Sequence, residues 1–164
     1  MYKIKLLILL LINLIFINSC TNHRLNSENK FSIGYIGEGY NGFIFKNLLL
    51  THIRGSNLYN QNSNYKIKGN VSNTSSVYIT NIDNTSDRLN IETNMNIKIY
   101  NQKKECVVYE WKDELEQFYI YAPNEKFLSN QTASEKIIYE NIDQLIKNFL
   151  NKIQFLDNLK CTDE

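Results

Sequence analysis

The sequence predicts an α+β domain, with an antiparallel or mixed sheet of about four strands and two helices packed on one face, in the order β-α-β-β-β-α. Two kinds of periodicity and one property of the alternation lead there. Three segments alternate apolar and polar residues with period two: 65–71, 88–99 and 106–112. Two others carry apolar residues at three- and four-residue steps, 43–53 and 138–156. The alternation buries one strand face and leaves the other wet, which antiparallel sheets permit and fully covered parallel sheets do not.

The chain opens on a short leader. Lys3 and Lys5 precede an apolar run over residues 6–17, broken only by Asn13, and Ile17-Asn18-Ser19-Cys20 follows. A basic start, an apolar run and a small residue before the cut describe a secretory signal peptide. The run is too short for a helix to span a bilayer, which takes about 20 residues. A Cys directly after the small residue is similar to the lipobox of bacterial lipoproteins, so Cys20 is the expected lipidation site and new N-terminus. Several acyl chains exceed the two signals that stable anchoring requires. The expected organisation is a signal peptide over 1–19, the lipidated Cys and a polar tether over 20–30, a domain over 31–158 and a tail over 159–164.

Within the domain, residues 31–36 read as a short strand. Gly37-Glu38-Gly39-Tyr40-Asn41-Gly42 then turns into a helix carrying Phe45, Leu48, Leu49 and His52, which ends at Gly55. The glycine spacing matches neither the dinucleotide fingerprint nor the P-loop, so the turn is read as a flexible strand-to-helix connection. Residues 56–64 form a polar loop. Tyr65, Ile67, Gly69 and Val71 share one strand face, and Val77 and Ile79 could extend that strand toward a loop at 83–87. The next strand is the strongest: Leu89, Ile91, Thr93, Met95, Ile97 and Ile99 alternate with Arg88, Asn90, Glu92, Asn94, Asn96 and Lys98. A turn at 101–105 leads to a strand with Val107, Tyr109 and Trp111 on one face, and Asp113, Glu114 and Glu116 read as a solvated turn after it. The last helix starts at Thr132-Ala133-Ser134-Glu135, a capping-box pattern, and places Ile138, Ile142, Leu145, Phe149, Ile153 and Leu156 on one stripe. Leu145 and Phe149 are expected to share a core with Ile91 and Ile97.

Composition excludes several function classes. After loss of residues 1–19, 145 residues remain, enough for one domain. Sixteen basic side chains then face 17 acidic ones, without the concentrated positive charge that nucleic acid demands. The 25 Asn residues are scattered, and hydrophobic periodicity survives between them. His23 and His52 lie far apart without ligand-like spacing, so no metal or other cofactor is expected. There is no Gly-x-Ser-x-Gly elbow, and His52 is read as packed or partly exposed rather than catalytic. No enzyme is expected. Cys106 and Cys161 remain after acylation of Cys20; the compartment permits a bridge, and the spacing leaves their pairing open.

A lipidated Cys followed by strand, helix, strands and helix resembles the LPS-assembly lipoprotein LptE family. The most specific stretch is residues 118–137, where Phe118-Tyr119-Ile120-Tyr121 leads through Pro123 into an acidic and alanine-containing helix. Asp87-Arg88 before the long strand is similar to the family's loop, Arg and alternating strand. The resemblance covers roughly residues 20–158. It implies a non-catalytic outer-membrane lipoprotein, on the periplasmic side, that plugs and helps assemble an LptD-like β-barrel and contacts lipopolysaccharide. Thr21 after the Cys suits outer-membrane delivery. Should lipopolysaccharide phosphates be met, Lys66, Lys68, Arg88 and Lys98 on the wet strand faces are the candidate contacts. The alternative expectation is an auxiliary lipoprotein of an ABC-type lipid transporter.

Overall fold

The computed structural model describes residues 29–79, 87–120, 127–154, 156 and 159–161. The leader, Cys20, the tether up to residue 28 and the last three residues lie outside the described residues. The described elements are β1 (Phe31–Ile36), α1 (Gly39–Gly55), β2 (Tyr65–Ile79), β3 (Asp87–Asn101), β4 (Cys106–Ile120) and α2 (Phe127–Ile153). The sheet order is β1-β2-β3-β4. β1 runs parallel to β2, and the β2–β3 and β3–β4 pairs are antiparallel, giving the mixed α+β sheet with the predicted element order.

Both helices pack on the face of Ile67, Met95, Ile97, Ile99 and Trp111, α1 over β1 and β2 and α2 over β3 and β4. From α1 come Ile44, Phe45, Leu49 and Ile53; from α2 come Ile142, Leu145, Ile146, Phe149, Leu150 and Ile153, all buried. The Trp111 and Phe149 rings meet at 5.7 Å between centroids in a tilted geometry that aromatic pairs favour. Leu145, Phe149 and Ile97 share this core as expected, but Ile91 does not join it although it is buried. A polar layer lies next to it on β3. Asn141 of α2 donates through Nδ2 to Thr93 Oγ1 at 3.1 Å, Thr93 donates to Asn73 Oδ1 at 2.6 Å, and Thr93 and Asn141 are wholly buried.

The glycine-rich turn has a steric reason. A Cβ on Gly42 would stand 1.6 Å from the carbonyl oxygen of Gly37, so the first turn of α1 can back onto the end of β1 only with glycine there. Gly69 plays a similar part in mid-strand, where a Cβ would press on the Phe45 ring at 3.1 Å. α1 starts at Gly39, ahead of the apolar stretch that marks it, because extending a formed helix adds one bond per residue fixed. Its end also differs from expectation: Gly55 is still helical, Ser56 is the cap, and the left-handed residue is Asn57 at φ 56°. The loop at 56–64 is not wholly polar, since Leu58 is buried and its N–H donates to Ile53 O at 2.8 Å.

Three further expectations are corrected. Asp113, Glu114 and Glu116 belong to β4, where pairing with β3 through Ile120 outweighs their weak strand propensity on an edge that tolerates charge. A bulge opposite Ile99 and Tyr100 inserts Val108 as an extra residue, which buries it and places Val107 on the opposite face from Tyr109 and Trp111. α2 begins at Phe127, so Thr132 and Glu135 sit inside the helix; no Pro or Gly between 127 and 132 prevents propagation upstream. Cys106 and Cys161 form a disulfide with Cα atoms 5.7 Å apart, tying the chain beyond α2 to the start of β4.

Candidate functional site

The sheet face without helices carries the candidate residues. In β3 the even-numbered positions line it, and register sets their neighbours: Lys66 opposite Tyr100, Lys68 opposite Lys98, Asn70 opposite Asn96, and Ser72 opposite Asn94. On the other side of β3, Lys98 faces Glu110 and Asn96 faces Lys112. Lys66, Lys68 and Lys98 therefore gather at one end. Arg88 does not: it lies ten positions along β3 from Lys98, about 33 Å at 3.3 Å per residue.

Two like charges opposite one another on a sheet repel, and neighbours offset that here. The Lys68 ammonium sits 4.4 Å over the Tyr100 ring, a cation–π contact. The Lys98 ammonium lies 3.4 Å from the Glu110 carboxylate, and Lys112 lies 3.1 Å from the same group. Hydrogen bonding to Lys112 first, with the charges of Lys112 and Lys98 behind it, holds the Glu110 carboxyl below its ordinary value despite some desolvation. Gly34 of β1 leaves the space occupied by the Lys66 stem, since a Cβ there would stand 2.7 Å from Lys66 Cδ. Three lysines held with tyrosine and one bridging carboxylate can take a phosphate by charge-assisted hydrogen bonds.

Beyond the lysines the face is a shallow groove of about 470 Å³ lined by Asn70, Ser72, Asn94, Asn96, Lys112 and Glu114. The Asn96 side-chain oxygen is buried without a protein partner. Further along, Glu92 faces Glu116, and the amides of Asn94 and Asn90 donate to them respectively. The distal end is apolar: Phe118 and Ile120, opposite Asn90 and Arg88, are more than half exposed. The face thus runs from basic through amide-rich and acidic to apolar. Glu110, Lys112 and Tyr100 were not among the sequence candidates, because only the cross-strand register brings the first two to Lys98 and the third beneath Lys68.

His52 is partly exposed and has a carboxylate partner. Across the α1–α2 seam its Nε2 lies 2.6 Å from the Asp143 carboxylate, which also holds Lys147, one turn along α2, at 2.6 Å. Burial alone would raise the Asp143 carboxyl, but the hydrogen bonds from Lys147 and His52 outweigh it and hold the group below its ordinary value.

The architecture matches solved structures of bacterial lipoproteins. The rare lipoprotein B of Shewanella oneidensis superposes with a TM-score of 0.61 at 16% identity, over 76% of this chain and 93% of that one. A minor lipoprotein of Acinetobacter baumannii gives 0.60 at 14% identity, over 83% of this chain and 97% of that one. The chain has the fold of these lipoproteins. No protein-family model matches the sequence, and no curated protein matches it. The match covers nearly the whole of both lipoproteins, so the likeness belongs to the complete β-α-β-β-β-α unit and not to a shared hairpin.

Proposed function

We propose that this chain is a non-catalytic outer-membrane lipoprotein, anchored through Cys20 on the periplasmic side, that acts as an LptE-like plug and assembly partner of an LptD-like β-barrel in lipopolysaccharide transport. The observation that carries the reading is a lipoprotein fold standing directly behind a lipobox-like Cys20. The resemblance of residues 118–137 to the LptE family points the same way. A two-layer body with a graded, helix-free sheet face suits a scaffold that meets a barrel wall and an anionic lipid headgroup. Lys66, Lys68 and Lys98 are the residues for the headgroup phosphates.

The test is affinity capture of the tagged full-length chain from detergent-solubilised membranes. A heat-modifiable outer-membrane β-barrel in stoichiometric amount is the expected partner. Capture of an inner-membrane ATPase complex instead would replace this reading with the ABC-transporter one.

A further inference from the structure

The two edges of the sheet are treated differently by the sequence. β4 forms one edge and carries Glu110, Lys112, Asp113, Glu114 and Glu116, charges of the kind that discourage pairing with another strand. At the other edge, β1 covers β2 only from Tyr65 to Gly69. Among the described residues nothing pairs with the outer side of β2 from Asn70 to Ile79. That stretch, Asn70-Val71-Ser72-Asn73-Thr74-Ser75-Ser76-Val77-Tyr78-Ile79, contains no charge and no proline. A long, uncharged, unpaired strand edge is a template for another strand.

We infer that this edge pairs antiparallel with the same edge of a second copy, about a two-fold axis through Thr74, joining two sheets into one. The register follows from three constraints. A two-fold axis perpendicular to the sheet keeps each residue on its own face, so it must pass through a residue and not between two. Gly69 is already engaged, since Gly37 N–H donates to its carbonyl at 2.9 Å, so pairing begins at Asn70. An axis at Thr74 then pairs Asn70 with Tyr78, Val71 with Val77, Ser72 with Ser76 and Asn73 with Ser75. The next axis, at Ser75, would set Asn73 against Val77. Of the two, only the Thr74 axis places valine on valine, with Ser72 on Ser76 beside it, the like cross-strand pairs that stabilise a sheet.

Backbone geometry agrees. Because the Gly69 carbonyl points to the β1 side, alternation turns the N–H and C=O groups of Val71, Asn73, Ser75 and Val77 toward the open edge. These are the residues that the Thr74 axis sets opposite one another, leaving Thr74 with its copy as a close, non-hydrogen-bonded pair. Apolar exposure marks both ends of the window. Val77 is 58% exposed at one end, and Tyr40 and Phe43 are 65% and 63% exposed in the first turns of α1, past the other. Antiparallel pairing brings the Val77 end of each copy beside the α1 start of its partner.

The full-length chain, expressed with two different tags in one cell and extracted in mild detergent, tests this by tandem capture. Parent chains are expected to co-purify. Ser72→Lys/Ser76→Lys should lower co-capture at least tenfold, as should Ser72→Glu/Ser76→Glu, because the pairing sets like charges opposite each other. Co-expressing the Lys form with the Glu form should restore it, which an unfolded variant could not do. Thr74→Cys should form an intermolecular disulfide, since a non-hydrogen-bonded pair holds its Cα atoms about 4.5 Å apart. Absence of parent co-capture, co-capture that the charged variants leave unchanged, or loss of a different protein in place of the second copy would each overturn the inference.

Discussion

Phe149 shows how a single position was legible and how much it should weigh. It falls on the helical stripe of the sequence, and in the fold it is fully buried against Trp111. Phe149→Ala is expected to cost about 3–5 kcal/mol in denaturant unfolding, the usual range for a buried Phe truncated to Ala. Asp143 was invisible in the sequence as anything but a charge on the outer side of a helix. Its role comes from His52, 91 positions away in the chain. Because its folded carboxyl sits below the ordinary carboxylate value, it stabilises the fold above the unfolded value near pH 4. That contribution is lost as pH falls through the depressed folded value. Asp143→Asn should thus unfold more easily than the parent at pH 7, by about 1–3 kcal/mol as for hydrogen bonds to charged groups. In urea melts the gap should narrow as pH falls below the ordinary carboxylate value and through the depressed folded one, where the parent carboxyl becomes protonated as well.

Among the elements, the long strands set the shape. β2, β3 and β4 each span 15 residues, about 50 Å, whereas α1 reaches only about 26 Å, so it covers no more than the proximal part of β2. The distal part of β2 keeps its register through β3 alone, with Asn73 bonded to Thr93 beneath the buried Asn141. The Cys106–Cys161 bridge closes the other end of α2 over a sequence separation of 55 residues. Its reduction should cost about 2–4 kcal/mol, through the entropy returned to the unfolded chain. The difference between oxidised and reduced protein in guanidinium melts measures it, and Cys161→Ser should reproduce the reduced value without reductant.

For the whole molecule, the graded sheet face makes a prediction about its ends. If the lysine end meets lipopolysaccharide phosphates, changing Lys66, Lys68 and Lys98 together to Gln should weaken binding severalfold at low salt. It should also flatten the dependence on ionic strength, because screening acts on the charges removed. Arg88→Gln, at the other end of β3, should leave both nearly unchanged. A titration of the purified chain with lipopolysaccharide across a salt series separates the two. Equal effects of the triple and the single variant would mean that the spatial grouping of the lysines has no part in binding.

Local physics was enough for the element order and for most of the core. Period-two and helical spacing depend on side-chain direction along one segment, so Ile97, Ile99, Leu145 and Phe149 declared their faces without knowledge of any partner. The same holds for the wet strand faces of Lys66, Lys68 and Lys98. Extents were less legible, because pairing across strands carried Asp113, Glu114 and Glu116 into β4 against local preference, and carried β2 through polar residues 72–76 to the Val77 and Ile79 that the sequence had left open as its extension. What only the tertiary structure decided were relations between distant segments. Strand register brought Lys68 to Lys98 and Tyr100, and left Arg88 far away. Helix packing joined His52 to Asp143, and the path after α2 delivered Cys161 to Cys106. Those relations depend on strand order and on the angle at which helices settle, which are global minima of packing and have no local signature in a single chain.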